Sequence, residues 1–244
     1  MSLTGEPDAP PARFGLSMVD FMTGLGLAYA VLAALTAART SGIGRDMDVS
    51  LFDMALANTS YVSAWYLNQG HCQGRLPRSA HPSLTPCQLY PTSDGWIFIM
   101  CNKEKFWPAL CELVERPEWI SDPRLQTFAD RLANRDVLTG LLDEALGGRA
   151  TADWLSRFAG SVPAAPVYNI AEALDNPFVT EHGRLQTLTH PSAGEYRLVA
   201  PPVRSAETPP SRPAPALGEH TDALLTELGY DPQRLRKLRS SGVI

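Results

Sequence analysis

The chain has 244 residues, a net charge of −5 and 44% hydrophobic residues, enough apolar material for a globular core. The acidic balance provides no electrostatic footprint for nucleic acid, and the basic tail "PQRLRKLRSSGVI" is too short to reverse it. Four cysteines, Cys72, Cys87, Cys101 and Cys111, have no metal-ligand spacing, so reduced thiols in a cytoplasmic protein are expected and no metal site is.

The N-terminal "MSLTGEPDAPPARFG" places Glu6 and Asp8 where a signal peptide carries cations, and no apolar segment follows within it. The next stretch, "SMVDFMTGLGLAYAVLAALTAAR", predicts a long helix over 21–38 with no charge between Asp20 and Arg39. Its length reaches the threshold for a membrane span, but its glycines, threonines and alanines make it only mildly hydrophobic. Aromatic belts and polybasic flanks are missing. The expectation is a fully buried core helix and no membrane partner. "TSGIGRD" supplies a glycine stop, and "MDVSLFDMAL" alternates briefly like a strand before a helix running to about Asn68.

"NQGHCQGRLPRSAHPSLTPCQ" predicts a long loop, and "GWIFIMC" a strand after the turn Ser93-Asp94-Gly95. Helices are expected at about 104–115, 129–146 and 151–159, then a strand over "APVYNI" and a short helix over "AEALDN". "LQTLTHP" and "EYRLVAPPV" pair around Ser192-Ala193-Gly194, and the proline-rich "TPPSRPAPALG" leads to a last helix from about Thr221. The fold class is α/β. Four segments are expected: 1–70 with the long helices, a linker loop at 71–85, a small α+β domain at 86–175, and a return at 176–244.

Walker loops, G-x-S-x-G elbows and H-E-x-x-H motifs are lacking, and His71, His81, His182, His190 and His220 are scattered. Asp20 stands apart. It sits at the mouth of an apolar helix, where unpaired backbone N–H groups favour an anion. By spacing alone it is either an ordinary first-turn aspartate or a carboxylate poised as a nucleophile.

The run "GEPDAPPARFGLSMVDFMTGLGLAYAVLAALTAARTSGIGRDMDVSLFDMAL" resembles the core signature of the class III CoA-transferases, the CaiB/BaiF group. Further similar blocks follow in order, among them "LYPTSDGWIFI", "DPRLQTFADRLANRDVL" and "APALGEHTDALLTELGY". The resemblance implies an enzyme that moves coenzyme A from an acyl-CoA to a carboxylic acid, with Asp20 of "VDFMTG" carrying the acyl group. Coenzyme A is then substrate rather than resident cofactor. It also implies an interlocked homodimer with the loops at 69–88 and 201–217 as arms.

Two departures qualify the resemblance. The branch with a glycine-rich lid finds no counterpart in "RLPRSAHPSLTPC", so His81, Ser83 and Gln88 are the expected lining of the acyl pocket. Family members begin with a Rossmann-like half that supplies most coenzyme A contacts. The expectation is therefore a remnant of that large domain plus the small domain, with Met1 at an internal family position, cofactor-binding residues left unassigned and weak coenzyme A binding by the chain alone. Two alternatives stay open: an α-methylacyl-CoA racemase-like enzyme, whose "GDFGGG" motif "VDFMTG" does not match, and a non-catalytic, partner-dependent chain.

Overall fold

The long apolar stretch forms α1, Met18–Ser41, which closes on Gly42 with φ 74° and an N–H bond to the Ala38 carbonyl at 2.8 Å. This left-handed closure is a conformation that glycine adopts without Cβ strain. Inside the helix, the Thr23 and Thr36 hydroxyls donate to the carbonyls of Val19 and Leu32, four residues back. The hydroxyl side chains in α1 thus satisfy themselves locally and ask for no tertiary partner.

The computed structural model describes residues 1–203, 205 and 210–244, and these fall into two compact units, Met1–Val167 and Tyr168–Ile244. Part of the proposed 201–217 arm, and of the "TPPSRPAPALG" stretch, therefore lies outside the described residues.

In the first unit α1 is followed by α2, Leu51–Ala57, and α3, Ser60–Gln69. The α1 and α2 helices pack together where Met54 reaches Gly26, and a Cβ there would come within 2.9 Å of the methionine sulfur. The sequence expectation of a buried helix is corrected here. Only Ala30 of α1 is buried, while Phe21, Leu25, Tyr29 and Leu32 are exposed. The α1 helix is apolar on every side, and α2 covers one strip of it. Its most apolar window has a mean hydropathy of 1.7, long and apolar enough to cross a membrane.

The strand expected around 47–50 does not form either. Ser50 instead accepts the Asp53 N–H at 3.0 Å and caps α2, a use of a short hydroxyl that competes with extended pairing.

The remainder of the first unit closes a core. Strands β1, Cys87–Pro91, β2, Trp96–Met100, and β3, Ala164–Pro166, form an antiparallel sheet in that order, with Tyr90 opposite Ile97 and Phe98 opposite Ala165. Alternation along the strands sends Tyr90, Ile97 and Ile99 inward. Four helices complete the unit: α4, Phe106–Leu113, α5, Phe128–Ala133, α6, Arg135–Leu146, and α7, Thr151–Phe158. Trp107, Leu110, Leu138, Leu142, Leu146, Trp154 and Phe158 meet in the core, and the Trp154 indole N–H donates to the Leu146 carbonyl at 2.8 Å.

The single helix expected over 129–146 is two, broken at Asn134, whose φ of −111° is not helical. Its side-chain amide donates to the carbonyls of Arg124 and Asp130, so the break is hydrogen-bonded rather than frayed. The "APVYNI" strand is shorter than expected. It stops at Pro166, and Asn169 already caps the next helix in a reciprocal box with Glu172.

Arg131 is fully buried and ties three segments together. It donates to the carbonyls of Thr85, Leu125 and Gln126 at 2.9–3.1 Å, pairs with Glu104, and lies over the rings of Trp107 and Phe128. A buried guanidinium is tolerated only with such complete pairing.

The second unit contains α8, Ile170–Leu174, α9, Pro177–Glu181, the antiparallel hairpin β4, Leu185–His190, and β5, Gly194–Val199, and then α10, Thr221–Glu227, and α11, Pro232–Ser240. The last helix of the sequence reading is thus divided, and Gly229 with φ 87° makes the turn. Leu235 is the buried hydrophobic residue among those described in this unit.

Candidate active site

Asp20 is the third residue of α1 and is exposed. The Ser17 side chain makes no capping bond, and the first intrahelical hydrogen bond runs from the Phe21 N–H to the Ser17 carbonyl at 3.1 Å. The amides of the first turn ahead of Phe21 therefore have no intrahelical acceptor, and the positive end of the helix lies beside the carboxylate. Such a carboxylate is accessible from solvent and sits beside backbone N–H groups that have no acceptor within the helix.

His81 and Ser83 come together in one turn. The His81 Nδ1 accepts the N–H groups of Ser83 at 3.1 Å and Leu84 at 3.2 Å, which requires an unprotonated nitrogen there. Burial, and secondly the charge of Arg135, hold its pKa below the usual imidazole value. The His81 backbone N–H donates to the Cys87 carbonyl, and the His81 carbonyl accepts from Arg135 Nη2 at 2.7 Å. The imidazole works as a staple for the loop leading into β1.

Gln88 lies on β1, buried, and its Nε2 donates to the Thr139 hydroxyl of α6 at 3.1 Å. Its Oε1 has no partner, nor does the buried Nη1 of Arg135. Both residues line a cavity of about 360 Å³ between β1 and α6. A second cavity of about 280 Å³ lies between Tyr61, Gln73 and Pro82. His81 and Ser83 line neither cavity, and Asp20 is likewise outside both. Among the described residues no hydrogen bond or ion pair joins Asp20 to His81, Ser83 or Gln88, and no group of three metal-binding side chains occurs.

The sequence reading missed Arg131 and Arg135. Their only visible signal is the capping pattern "TFAD" from Thr127 to Asp130, which fixes the start of α5 and hence what α5 and α6 point inward.

Residues 1–221 match the family profile of CoA-transferase family III. The chain belongs to that family. It is 32% identical to the human succinyl-CoA:glutarate CoA-transferase, covering all of this chain and 56% of that protein. It is 32% identical to the acetyl-CoA:oxalate CoA-transferase of Acetobacter aceti over 93% of this chain and 58% of that one. Among solved structures, a CaiB/BaiF family protein from Brucella suis superposes with a TM-score of 0.73 at 30% identity, over 93% of this chain and 60% of that one. The chain thus spans little more than half the length of the family III relatives it matches. The α/β class and the family resemblance read from the sequence both stand.

Proposed function

We propose that this chain carries the acyl-accepting aspartate of a family III CoA-transferase, and that Asp20 is that residue. The observation that carries the reading is the placement of Asp20, exposed in the first turn of α1, inside the segment that matches the family. The names of the relatives support an acyl-CoA as donor and a carboxylic acid as acceptor.

In this mechanism the Asp20 carboxylate attacks the thioester carbonyl and coenzyme A leaves as thiolate, giving a mixed anhydride. The thiolate then attacks the aspartyl carbonyl of that anhydride, expels the donor carboxylate and forms an aspartyl-CoA thioester. The acceptor carboxylate attacks this thioester, releases the thiolate again, and the thiolate takes the new acyl group while Asp20 returns to a carboxylate. Splitting the exchange into attacks on activated carbonyls replaces one high barrier by several lower ones. First-turn N–H groups of α1 stabilise the oxyanion of each tetrahedral intermediate.

The bare surface of α1 supports a second part of the reading: the working form is a homodimer in which another protein surface covers this helix. It also favours partner dependence over activity of an isolated chain. A reducing, cytoplasmic setting belongs to the same proposal, supported by four free cysteines of which three are buried.

Incubation of the active assembly with succinyl-CoA and hydroxylamine should convert Asp20 to its hydroxamate, visible by peptide mass. Asp20→Ala should lower coenzyme A exchange by at least about a thousandfold. Ordinary turnover by that variant would exclude Asp20 as the nucleophile.

A further inference from the structure

Residues 1–9 form no helix or strand, and none of them is buried. Three hydrogen bonds spanning 66–72 residues nevertheless hold them against the linker loop. The Arg75 guanidinium donates through Nη2 to the Pro7 carbonyl at 2.9 Å and through Nη1 to the Ala9 carbonyl. Glu6 Oε1 accepts the Arg78 backbone N–H at 2.8 Å. Arg75 forms no ion pair among the described residues, so its donors serve this segment.

Anchored in this way, Leu3, Thr4 and Gly5 make one wall of the cavity of about 280 Å³, and Tyr61 and Val62 of α3 make another. Gly5, with φ 95°, lets the segment fold back on itself, where a Cβ would come within 3.0 Å of the Ala12 Cβ. Exposed hydrogen bonds without a buried apolar anchor put residues 1–9 at the low end of local stability, from which closing elements are drawn.

The loop that receives the segment is strained. Arg78 and Ser79 follow one another with φ 54° each, a left-handed conformation that L-residues hold only where their surroundings fix it. It is fixed from two sides. Arg78 Nη1 donates to both oxygens of Asp143 on α6, at 2.6 and 2.8 Å, and the Arg78 N–H is held by Glu6. One residue therefore ties the segment to α6, and release of Glu6 frees one side of a strained turn.

We propose that residues 1–9 are a strap that closes over this cavity, and that the Arg78–Ser79 turn is its catch, strained when the strap is seated and relaxed when it leaves. A molecule held between the strap and α3 touches both walls only in the seated form, and so shifts the equilibrium towards closure. Asp20 does not line this cavity, and the strap stands independently of the transferase reading.

The distance distribution between two spin labels on the full chain tests this. One label goes on Ser2→Cys, on the exposed strap, and the other on the native Cys72, the exposed cysteine of the linker; Cys87, Cys101 and Cys111 are buried and stay unlabelled. A short distance should dominate, with a minor longer one. Arg75→Ala and Glu6→Ala should each raise the ratio of long to short, Arg75→Ala by at least about tenfold because two charge-assisted bonds are lost. Ser79→Gly should lower that ratio, since glycine holds φ 54° without Cβ strain and the Ser79 hydroxyl makes no hydrogen bond among the described residues. A distribution that Arg75→Ala leaves unchanged, or a long distance already dominant in the parent chain, overturns the strap. A ratio raised by Ser79→Gly overturns the catch, and that variant decides the matter even where Arg75→Ala fails to fold.

Discussion

The α1 and α6 helices are both rich in leucine, yet α6 closes a core and α1 lies open. In α6, Leu138, Leu142 and Leu146 recur every four residues and are fully buried, while Asp136, Val137 and Asp143 turn outward or pair at the edge. That spacing writes a single apolar stripe, which the sheet and neighbouring helices can cover from one direction. In α1 leucine, alanine and aromatic residues occupy every side. Such a helix has no preferred face, so covering it takes neighbours all round, and α2 provides one. The contrast shows that hydrophobicity marks a segment as needing burial, whereas periodicity tells whether its own unit can bury it.

The sharpest way to break this comparison is by paired truncations. Leu142→Ala should cost about 2–5 kcal/mol, because it removes a fully buried side chain and leaves a cavity. Leu25→Ser on α1, 72% exposed, should stay within about 0.5 kcal/mol when unfolding is followed at concentrations low enough to keep the chain monomeric. Urea unfolding followed by the fluorescence of the buried Trp107, Trp119 and Trp154 measures both. A large loss for Leu25→Ser would mean that α1 is held by its own chain after all.

The uncovered surface of α1 also predicts association. Light scattering at micromolar concentration should give a mass above the monomer's, and Leu25→Asn combined with Leu32→Asn should weaken that association by at least about tenfold. A strictly monomeric chain would remove the homodimer from the proposed function.

The smallest expected effect concerns pH. The folded state holds the His81 pKa below its usual 6.5, first through burial and then through Arg135. The unfolded chain therefore takes up the proton first as pH falls, so the stabilisation is complete above 6.5 and is lost on acidification through the folded value. Melting temperature should decline as pH falls from 6.5 towards 5, and the decline should be shallower in His81→Asn. An unchanged slope in that variant would mean that the staple formed by Nδ1 does not govern this loop.

Much of this architecture was legible in the sequence because the signals are local. The turn Ser93-Asp94-Gly95 ahead of "WIFIM", the hairpin around Gly194 and the leucines of α6 each act within a few residues, and their elements appear in place. Asp20 at the mouth of α1 was equally readable, since a helix start depends on neighbouring residues alone. Helix breaks were less so. Asn134 divides α5 from α6 by reaching the Arg124 carbonyl ten residues back, a partner that periodicity does not reveal.

By itself, then, the sequence determined the α/β class, the family, the presence of α1 and the position of its carboxylate, all properties of residue order, while α1 runs three residues further at each end than the 21–38 expected. Only the tertiary structure decided that α1 stays uncovered within its own unit. It also decided that Arg131 is buried among distant carbonyls, and that Gln88 and Arg135 share one cavity. The physical reason is range: capping, turns and periodicity are satisfied within one or two helical turns. Burial and the pairing of buried polar groups instead depend on segments such as Thr85 and Arg131, 46 residues apart, meeting in space.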